Sequence, residues 1–286
     1  MHGVNKAGSD SVEHIRRATN GKTISVRSGK NGLGDALYLQ SVVRHFVRQG
    51  YLVEACSRWP ELFLPLKDSV KVVPFRRDRI DRIAHYSIRM LQKSNTDQFV
   101  DCCIQAEIKE PVELKLDWEI ITNNVLVDFV KREAKGKPIV LVQLPREPMG
   151  REDGFARDLL PRPEAYQQAI RAISDRALIV QVGKGDSVYE LKNIDIDLSD
   201  KTSISSLLDL ALICDAMLGY VSYFVPLAES FDKKLLCVWS RKGLQSREEY
   251  LRRLTPHKIF HKRSCSAVMD DDSEDSIAKS ARLLLE

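Results

Sequence analysis

The chain has 286 residues, enough for one large domain or two of ordinary size. Hydrophobic residues make up 43% and charged residues 29%, which excludes a disordered chain, a collagen-like chain and a small disulfide scaffold. No run approaches the roughly 20 apolar residues of a membrane span. Residues 1–20 are polar, so we expect no signal peptide but a loose arm over residues 1–21. Six cysteines without a C-x-x-C pair argue against zinc and favour a reducing, cytoplasmic location.

The net charge of +4 is small, but the basic residues are clustered in two segments. Arg76–Lys93 holds six Lys or Arg against two Asp, and Arg241–Arg263 holds eight against two Glu. Such segments suit an anionic partner, such as a nucleotide, a phosphate-bearing acceptor or DNA. A solvated basic face explains them equally well.

In the first half of the chain, short apolar runs alternate with amphipathic stretches. The pattern predicts strands at Thr23–Arg27, Tyr51–Cys56, Ser69–Val73 and Phe99–Ile104, and helices at Asp35–Gln49, Trp59–Leu66 and Trp118–Arg132. The charged segment from Glu133 to Pro138 contains Gly and Pro and reads as a linker. We therefore predict an N-terminal unit over residues 22–133 and a C-terminal unit over residues 138–286.

After this segment the alternation starts again. Strands are predicted at Ile139–Leu144, Ala177–Val182, Ala216–Gly219 and Lys234–Trp239, and helices at Pro163–Ile173, Ser203–Cys214, Val225–Phe231 and Asp272–Leu285. Strands that alternate with helices form parallel sheets. The sequence thus predicts an α/β protein with two Rossmann-like domains that face a ligand-binding cleft.

The turn between the first strand and the first helix, Ser28-Gly-Lys-Asn-Gly-Leu-Gly34, is followed by Asp35. Glycines here let the backbone approach a ligand closely, and we predict that Gly32 and Gly34 contact a nucleotide-bearing donor. A dinucleotide fingerprint is disfavoured, because its third glycine position is Leu37 and Asp35 would face the pyrophosphate. Asp35 is therefore either a general base that faces an acceptor hydroxyl or a simple helix cap.

Two later turns could hold a nucleotide. Ser222 follows a strand and opens a helix, so its hydroxyl and nearby backbone N–H groups could bind phosphate, or Ser222 could cap that helix. Gly183-Lys184-Gly185-Asp186 also ends a strand; it could receive a nucleoside, with Asp186 accepting from ribose, or be an ordinary turn.

The triplet Asp195-Ile-Asp197 has the spacing at which two carboxylates share one face of a strand, as a metal site requires, but such triplets are common and we predict no metal or cofactor. The sequence lacks G-x-S-x-G, H-E-x-x-H and G-x-x-x-x-G-K-[ST]. Hydrolase triads, zinc peptidases and P-loop enzymes are therefore disfavoured.

Several segments together resemble glycosyltransferase family 9, the heptosyltransferase-like enzymes with the GT-B fold. The first is Gly32-Leu-Gly-Asp35-Ala-Leu with the later Pro60-Glu-Leu-Phe63. The stronger resemblance runs over residues 198–240, from Leu198-Ser-Asp-Lys-Thr-Ser203 through Cys214-Asp-Ala-Met-Leu-Gly219 to Lys233-Lys-Leu-Leu-Cys-Val-Trp239. Pro256-His-Lys-Ile-Phe260 is similar to the family's tail.

The resemblance implies an inverting, metal-independent transfer of a sugar from a nucleotide-sugar donor to an acceptor hydroxyl, with Asp35 as the base. It implies that the donor lies against the C-terminal unit, near Gly183, Lys184, Asp186, Thr202 and Ser222. The acceptor would be a surface glycan or, as in bacteriophage enzymes, a hydroxymethylated DNA base.

The chain departs from the family pattern at the phosphate-binding turn. The family's Asp-Ser/Thr-Gly-Pro-x-His reads Val221-Ser-Tyr-Phe-Val-Pro226 here, so that Ser222 alone remains of its polar members. The family's lysine has no clear match, and Arg146, Arg151 or Arg162 would replace its charge near the diphosphate. These changes leave a second hypothesis open, a non-catalytic nucleotide- or nucleic-acid-binding protein on a degenerate GT-B fold.

Overall fold

The computed structural model describes residues 22–76, 80–86, 97–120, 124–146, 160–185, 189–241 and 265–286. These residues form two compact units, the first ending at Asp117 and the second beginning at Trp118. Each unit is built on its own parallel sheet, which confirms the predicted α/β class. None of the helices in these ranges is long and apolar enough to cross a bilayer.

The first unit contains a four-stranded parallel sheet in the order β3-β2-β1-β4. Its elements are β1 (Thr23–Ser28), α1 (Leu33–Arg48), β2 (Leu52–Cys56), a 3₁₀ segment (Pro60–Leu66), β3 (Val70–Val73), β4 (Arg82–Ala84) and α2 (Gln98–Gln105). α1 packs on β1 and β2 through a buried apolar face that includes Leu39, Val42 and Phe46. This packing fixes the direction of the helix that carries Asp35.

The second unit contains a six-stranded parallel sheet in the order β10-β9-β8-β5-β6-β7. Its elements are α3 (Val125–Ala134), β5 (Ile139–Gln143), α4 (Pro163–Arg171), β6 (Leu178–Val182), β7 (Ile196–Asp197), α5 (Ile204–Ile213), β8 (Ala216–Gly219), α6 (Phe224–Ser230), β9 (Lys234–Trp239), β10 (Cys265–Met269) and α7 (Glu274–Arg282). A last 3₁₀ turn covers Leu283–Leu285. The strand order reverses between β5 and β8, and ligands of such sheets bind at that reversal.

Three predictions about elements and boundaries differ from the structure. Residues 99–104 form part of α2 rather than a strand, because Asp97 caps the backbone N–H groups of Phe99 and Val100. The helix predicted from Trp118 begins at Val125, where Asn124 caps it. The unit boundary lies at 117/118 rather than at the 133–138 segment, which is the tight turn between α3 and β5.

The conformation of residues 133–138 explains why the sequence suggests a domain linker at this segment. Lys135 and Gly136 have φ values of 49° and 84°, and Lys137 N–H donates to the carbonyl of Ala134 at 2.8 Å. A left-handed residue with Gly is a common way to end a helix. Charged, Gly-containing and Pro-containing residues therefore mark a helix end here and not a domain linker.

Gln40 on α1 is a buried polar residue with an expected effect on stability. Its side chain is 0% exposed, and neither its amide nitrogen nor its oxygen has a hydrogen-bond partner within the described part of the chain. Desolvating an unpaired amide is costly, so Gln40→Leu should raise the free energy of unfolding by about 1–3 kcal/mol. Urea denaturation would measure it. Gln105→Leu, at an exposed position of α2, is the control and should change stability little.

Candidate functional site

The turn after β1 places Asp35 in the first turn of α1. Leu33 is the first helical residue, and Gly32 N–H donates to Asp35 Oδ2 at 3.2 Å. A Cβ atom at residue 32 would lie 2.8 Å from the same oxygen, so glycine lets the carboxylate reach back to the turn. Asp35 is thus the third residue of the helix rather than its N-cap. Its half-buried carboxylate lies at the carboxyl edge of β1, next to the positive end of the helix dipole.

The turn after β1 is held by β4 and by a side chain from the segment that follows β2. Trp59 Nε1 donates to the carbonyl of Asn31 at 3.1 Å, and Gly29 N–H donates to the carbonyl of Ala84 at 2.9 Å. A Cβ atom at Gly29 would overlap the His85 ring at 1.9 Å. The turn is therefore fixed by β4 and by the segment after β2, which pre-organises the start of α1.

At the carboxyl edge of the second sheet, Arg146 reaches from the end of β5 to the turn after β6. Its guanidinium donates to the carbonyl of Lys184, and a Cβ atom at Gly185 would lie 3.0 Å from Arg146 Cζ. On the other side, Asp200 Oδ1 accepts from Gly185 N–H at 2.8 Å, and Asp200 N–H donates to the Gly183 carbonyl at 2.9 Å. The Gly183–Gly185 turn, with φ 91° at Gly185, is thus held from both flanks.

Gln143 and Ser222 meet where the strand order reverses. Ser222 Oγ donates to Gln143 Oε1 at 2.7 Å, and a Cβ atom at Gly219 would lie 3.0 Å from that same oxygen. Phe224 N–H is directed at Ser222 Oγ at 3.5 Å, and Val225 N–H donates to the Ser222 carbonyl at 3.3 Å. Ser222 thus precedes Tyr223, the N-cap of α6, and its hydroxyl is engaged by Gln143, so a phosphate there would have to replace Gln143 as the partner of the hydroxyl.

Tyr220 extends this contact toward Arg146. Its phenol donates to the carbonyl of Arg146 at 3.2 Å. Burial raises the pKa of Tyr220 above its usual value, and the contacts with Arg146 and Gln143 oppose that rise. The phenol therefore stays protonated at neutral pH and acts as a hydrogen-bond donor.

The Asp195-Ile-Asp197 triplet is used within the sheet. Asp195 Oδ2 accepts from Ile179 N–H at 2.8 Å, and Asp197 Oδ1 accepts from Gln181 Nε2 at 3.1 Å and from Ser199 N–H at 2.9 Å. Burial alone would raise the pKa of Asp197, yet its hydrogen bonds and the charge of Lys201 lower it overall. In the ranges that the structure describes, no three His, Cys, Asp or Glu side chains are grouped as a metal site.

The remaining predicted residues differ in what the structure says of them. Arg162 binds Asp270, since its Nε donates to the Asp270 carbonyl and its N–H to Asp270 Oδ2, both at 2.9 Å. Thr202 is half-buried beside Ser203, the N-cap of α5. Arg151 and Asp186 lie outside the described residues.

Most of the two basic segments also lies outside those residues, and three arginines that are described have acidic partners. Arg76 pairs with Glu54, Arg82 pairs with Glu107 at 3.1 Å, and Arg241 pairs with Asp271 at 3.7 Å. These pairs reduce the positive charge that the segments offer to an anion.

Sequence reasoning missed Gln143, Tyr220 and Asp200. Gln143 is the last residue of β5, Tyr220 directly follows β8 and Asp200 follows β7, so a position at a strand end was the available signal. Their roles depend on contacts between residues far apart in sequence, such as the one between Gln143 and Ser222, and no local motif reports these.

Known structures resemble this chain over nearly its whole length, although its sequence matches no protein-family model and no curated protein matches it. Heptosyltransferase II of E. coli, which acts with ADP-heptose on lipopolysaccharide, has a TM-score of 0.61 at 11% identity, over 92% of this chain and 98% of that one. A glycosyltransferase family 9 protein from Veillonella parvula has a TM-score of 0.57 at 8% identity, over 92% and 97%.

A third similar structure contains a metal. TibC, an iron-containing dodecameric glycosyltransferase from enterotoxigenic E. coli, has a TM-score of 0.52 at 10% identity, over 77% of this chain and 58% of that one. At such identities the likeness concerns the fold.

Proposed function

We propose that this chain, whose fold is the GT-B fold of the heptosyltransferases and of glycosyltransferase family 9, is itself a glycosyltransferase. It takes a sugar from a nucleotide-sugar donor and transfers it to an acceptor hydroxyl with inversion. The observation that carries the proposal is the position of Asp35, a half-buried carboxylate held by Gly32 at the carboxyl edge of β1. Parallel sheets bind their ligands at that edge.

The reaction needs a base, a bound donor and charge stabilisation for the leaving group. Asp35 takes the proton from the acceptor hydroxyl as its oxygen attacks the anomeric carbon. The bond from that carbon to the donor phosphate breaks, and the nucleoside diphosphate leaves with the electron pair. One displacement on the face opposite the leaving group inverts the anomeric centre.

The donor side of the proposal rests on the second sheet. Arg146 supplies a positive charge at the edge where β5 ends, suited to a diphosphate. We assign the nucleoside to the Gly183–Gly185 turn. Asp200 accepts from the Gly185 N–H of this turn, and Thr202 follows Asp200 closely in the sequence. Asp186, Arg151 and Ser222 remain predicted donor contacts.

The proposed reaction is independent of metal, because the positive charge for the leaving group comes from arginine. Transfer should therefore continue in the presence of EDTA, and a loss of activity that iron or magnesium restores would contradict this part of the proposal.

The test is a panel of nucleotide sugars with ADP, UDP, GDP, CDP and dTDP leaving groups, with nucleotide release as the readout. Two acceptor arms run in parallel, a lipopolysaccharide core glycan and DNA that contains hydroxymethylcytosine. Turnover with either acceptor supports the enzyme. Tight donor binding without transfer or donor hydrolysis in any arm supports the non-catalytic binding protein, and no binding at all overturns both. We place the protein in the cytoplasm, in keeping with its six buried cysteines, which form no disulfide.

A further inference from the structure

Two hydrogen bonds of buried side chains lie at the carboxyl edge of the second sheet. Ser222 Oγ donates to Gln143 Oε1 at 2.7 Å, and the phenol of Tyr220 donates to the backbone carbonyl of Arg146 at 3.2 Å. Tyr220 is 6% exposed and Gln143 is 3% exposed, so these bonds form away from water. Buried polar groups that satisfy one another in this way hold a single geometry.

The directions of the hydrogen bonds follow from the chemistry of the groups. The phenol gives its one proton to the Arg146 carbonyl. The side-chain oxygen of Gln143 can only accept, so the hydroxyl of Ser222 donates to it. Ser222 thereby fixes the orientation of the Gln143 amide, and the bond to the Arg146 carbonyl fixes the phenol of Tyr220.

Arg146 is consequently held at two points. Tyr220 holds its backbone carbonyl, and the Lys184 carbonyl holds its guanidinium. Arg146 lies three residues beyond the end of β5, where the ladder to β6 and β8 no longer fixes the backbone. The anchor from Tyr220 supplies that restraint, and a restrained arginine loses less freedom when it binds an anion.

We infer that Tyr220 is a positioning residue for Arg146 and that it sets the affinity of the site for the diphosphate of the donor. This inference rests on the proposed function, because it assigns the diphosphate to Arg146. Tyr220 acts through Arg146 and touches no reacting atom. Its role is thus separate from that of Asp35.

The variant Tyr220→Phe keeps the ring and removes only the hydroxyl. We expect the affinity for the nucleoside diphosphate that binds the wild type, chosen from ADP, UDP, GDP, CDP and dTDP, to fall about 3- to 10-fold by calorimetry. The affinity for the matching nucleoside should not change, because the nucleoside carries no phosphate. A purely structural role would lower both affinities together.

The matched control is Tyr189→Phe, which removes a half-buried phenol whose acceptor is the carbonyl of Pro161, at 3.3 Å, rather than that of Arg146. It should leave the diphosphate affinity unchanged.

A double-variant cycle makes the inference specific. Once Arg146→Ala has removed the guanidinium, adding Tyr220→Phe should cause no further loss of diphosphate affinity. A full additional loss in that background would overturn the inference, as would an unchanged affinity in Tyr220→Phe alone. If the wild type binds none of the five nucleotides, the proposed function fails and the inference fails with it. If the wild type binds a nucleotide and Tyr220→Phe binds it equally well, the inference alone fails.

Discussion

Replacing Asp35 by Asn is expected to lower the turnover number of sugar transfer by about 10²- to 10⁴-fold. The change removes the group that accepts the hydroxyl proton, yet an Asn side-chain oxygen can still accept from Gly32 N–H, as Asp35 Oδ2 does at 3.2 Å. The start of α1 should therefore keep its geometry. Donor affinity should stay at the wild-type value, because Arg146 and the Gly183–Gly185 turn belong to the other unit.

Steady-state kinetics at saturating donor and acceptor would measure the effect, with calorimetry for donor affinity. The matched control is Asp275→Asn, which changes another aspartate in the first turn of a helix, at an exposed position of α7. That variant should transfer sugar at the wild-type rate. If Asp35→Asn retains transfer within about tenfold of the wild-type rate, Asp35 is not the general base. Its side chain then serves only to accept from Gly32 N–H at the start of the helix.

The position of Asp35 is a feature that the sequence predicts well, because it depends on local chemistry. A strand, a glycine-rich turn and an amphipathic helix follow one another within residues 23–48, and each is fixed by its own residues. The same holds for most of the strands and helices of the second sheet. Alternating β and α segments also restrict the topology strongly, since parallel strands need crossover helices.

Prediction fails where distant residues decide the structure. β4 lies within a basic segment without an apolar pattern, and it is a strand because it pairs with β1. Residues 98–105 have apolar side chains that suit a strand or a helix, and the Asp97 cap favours the helix. The boundary between the units is also a long-range property, since α3 belongs to the second unit through its packing against α5.

The candidate donor site also combines features that local sequence predicts with contacts that it does not predict. The sequence predicts the glycine turn at Gly183–Gly185, but it does not predict the side chains that hold this turn. Arg146 contacts Lys184, which is 38 residues away in the sequence, and Asp200 contacts Gly185, which is 15 residues away. Ser222 was correctly placed at the start of a helix, but its bond to Gln143 spans 79 residues. A sequence motif indicates which backbone segment can approach a ligand. Only the folded structure shows which side chains there already form hydrogen bonds with other residues.

Asp209 shows the same dependence on distant partners, and it carries the largest stability effect that we expect. It lies within the apolar helix α5 and is 0% exposed. Its Oδ1 accepts from Trp118 Nε1 at 2.7 Å, and its Oδ2 accepts from the side-chain amide of Asn124. Asn124 in turn caps α3 through its own side-chain oxygen. One buried carboxylate thus ties the start of the second unit to its core.

Asp209→Ala should lower the free energy of unfolding by about 3 kcal/mol, because two donors lose their acceptor and the indole N–H is left buried. For a unit of this size the midpoint of thermal unfolding should fall by roughly 6–12 °C. Trp118→Phe removes one donor alone and should cost less than Asp209→Ala. The control is Asp128→Ala, at an exposed position on α3, which should change stability little.

Hydrogen exchange identifies where the stability is lost. If Asp209 holds the cap of α3, the amides of Val125–Ala134 should exchange faster in Asp209→Ala while those of β1 and β2 in the first unit keep their protection. Equal loss of protection in both units would contradict a local anchor. So would an Asp209→Ala protein as stable as Asp128→Ala, since a buried carboxylate that holds two donors cannot be removed without cost.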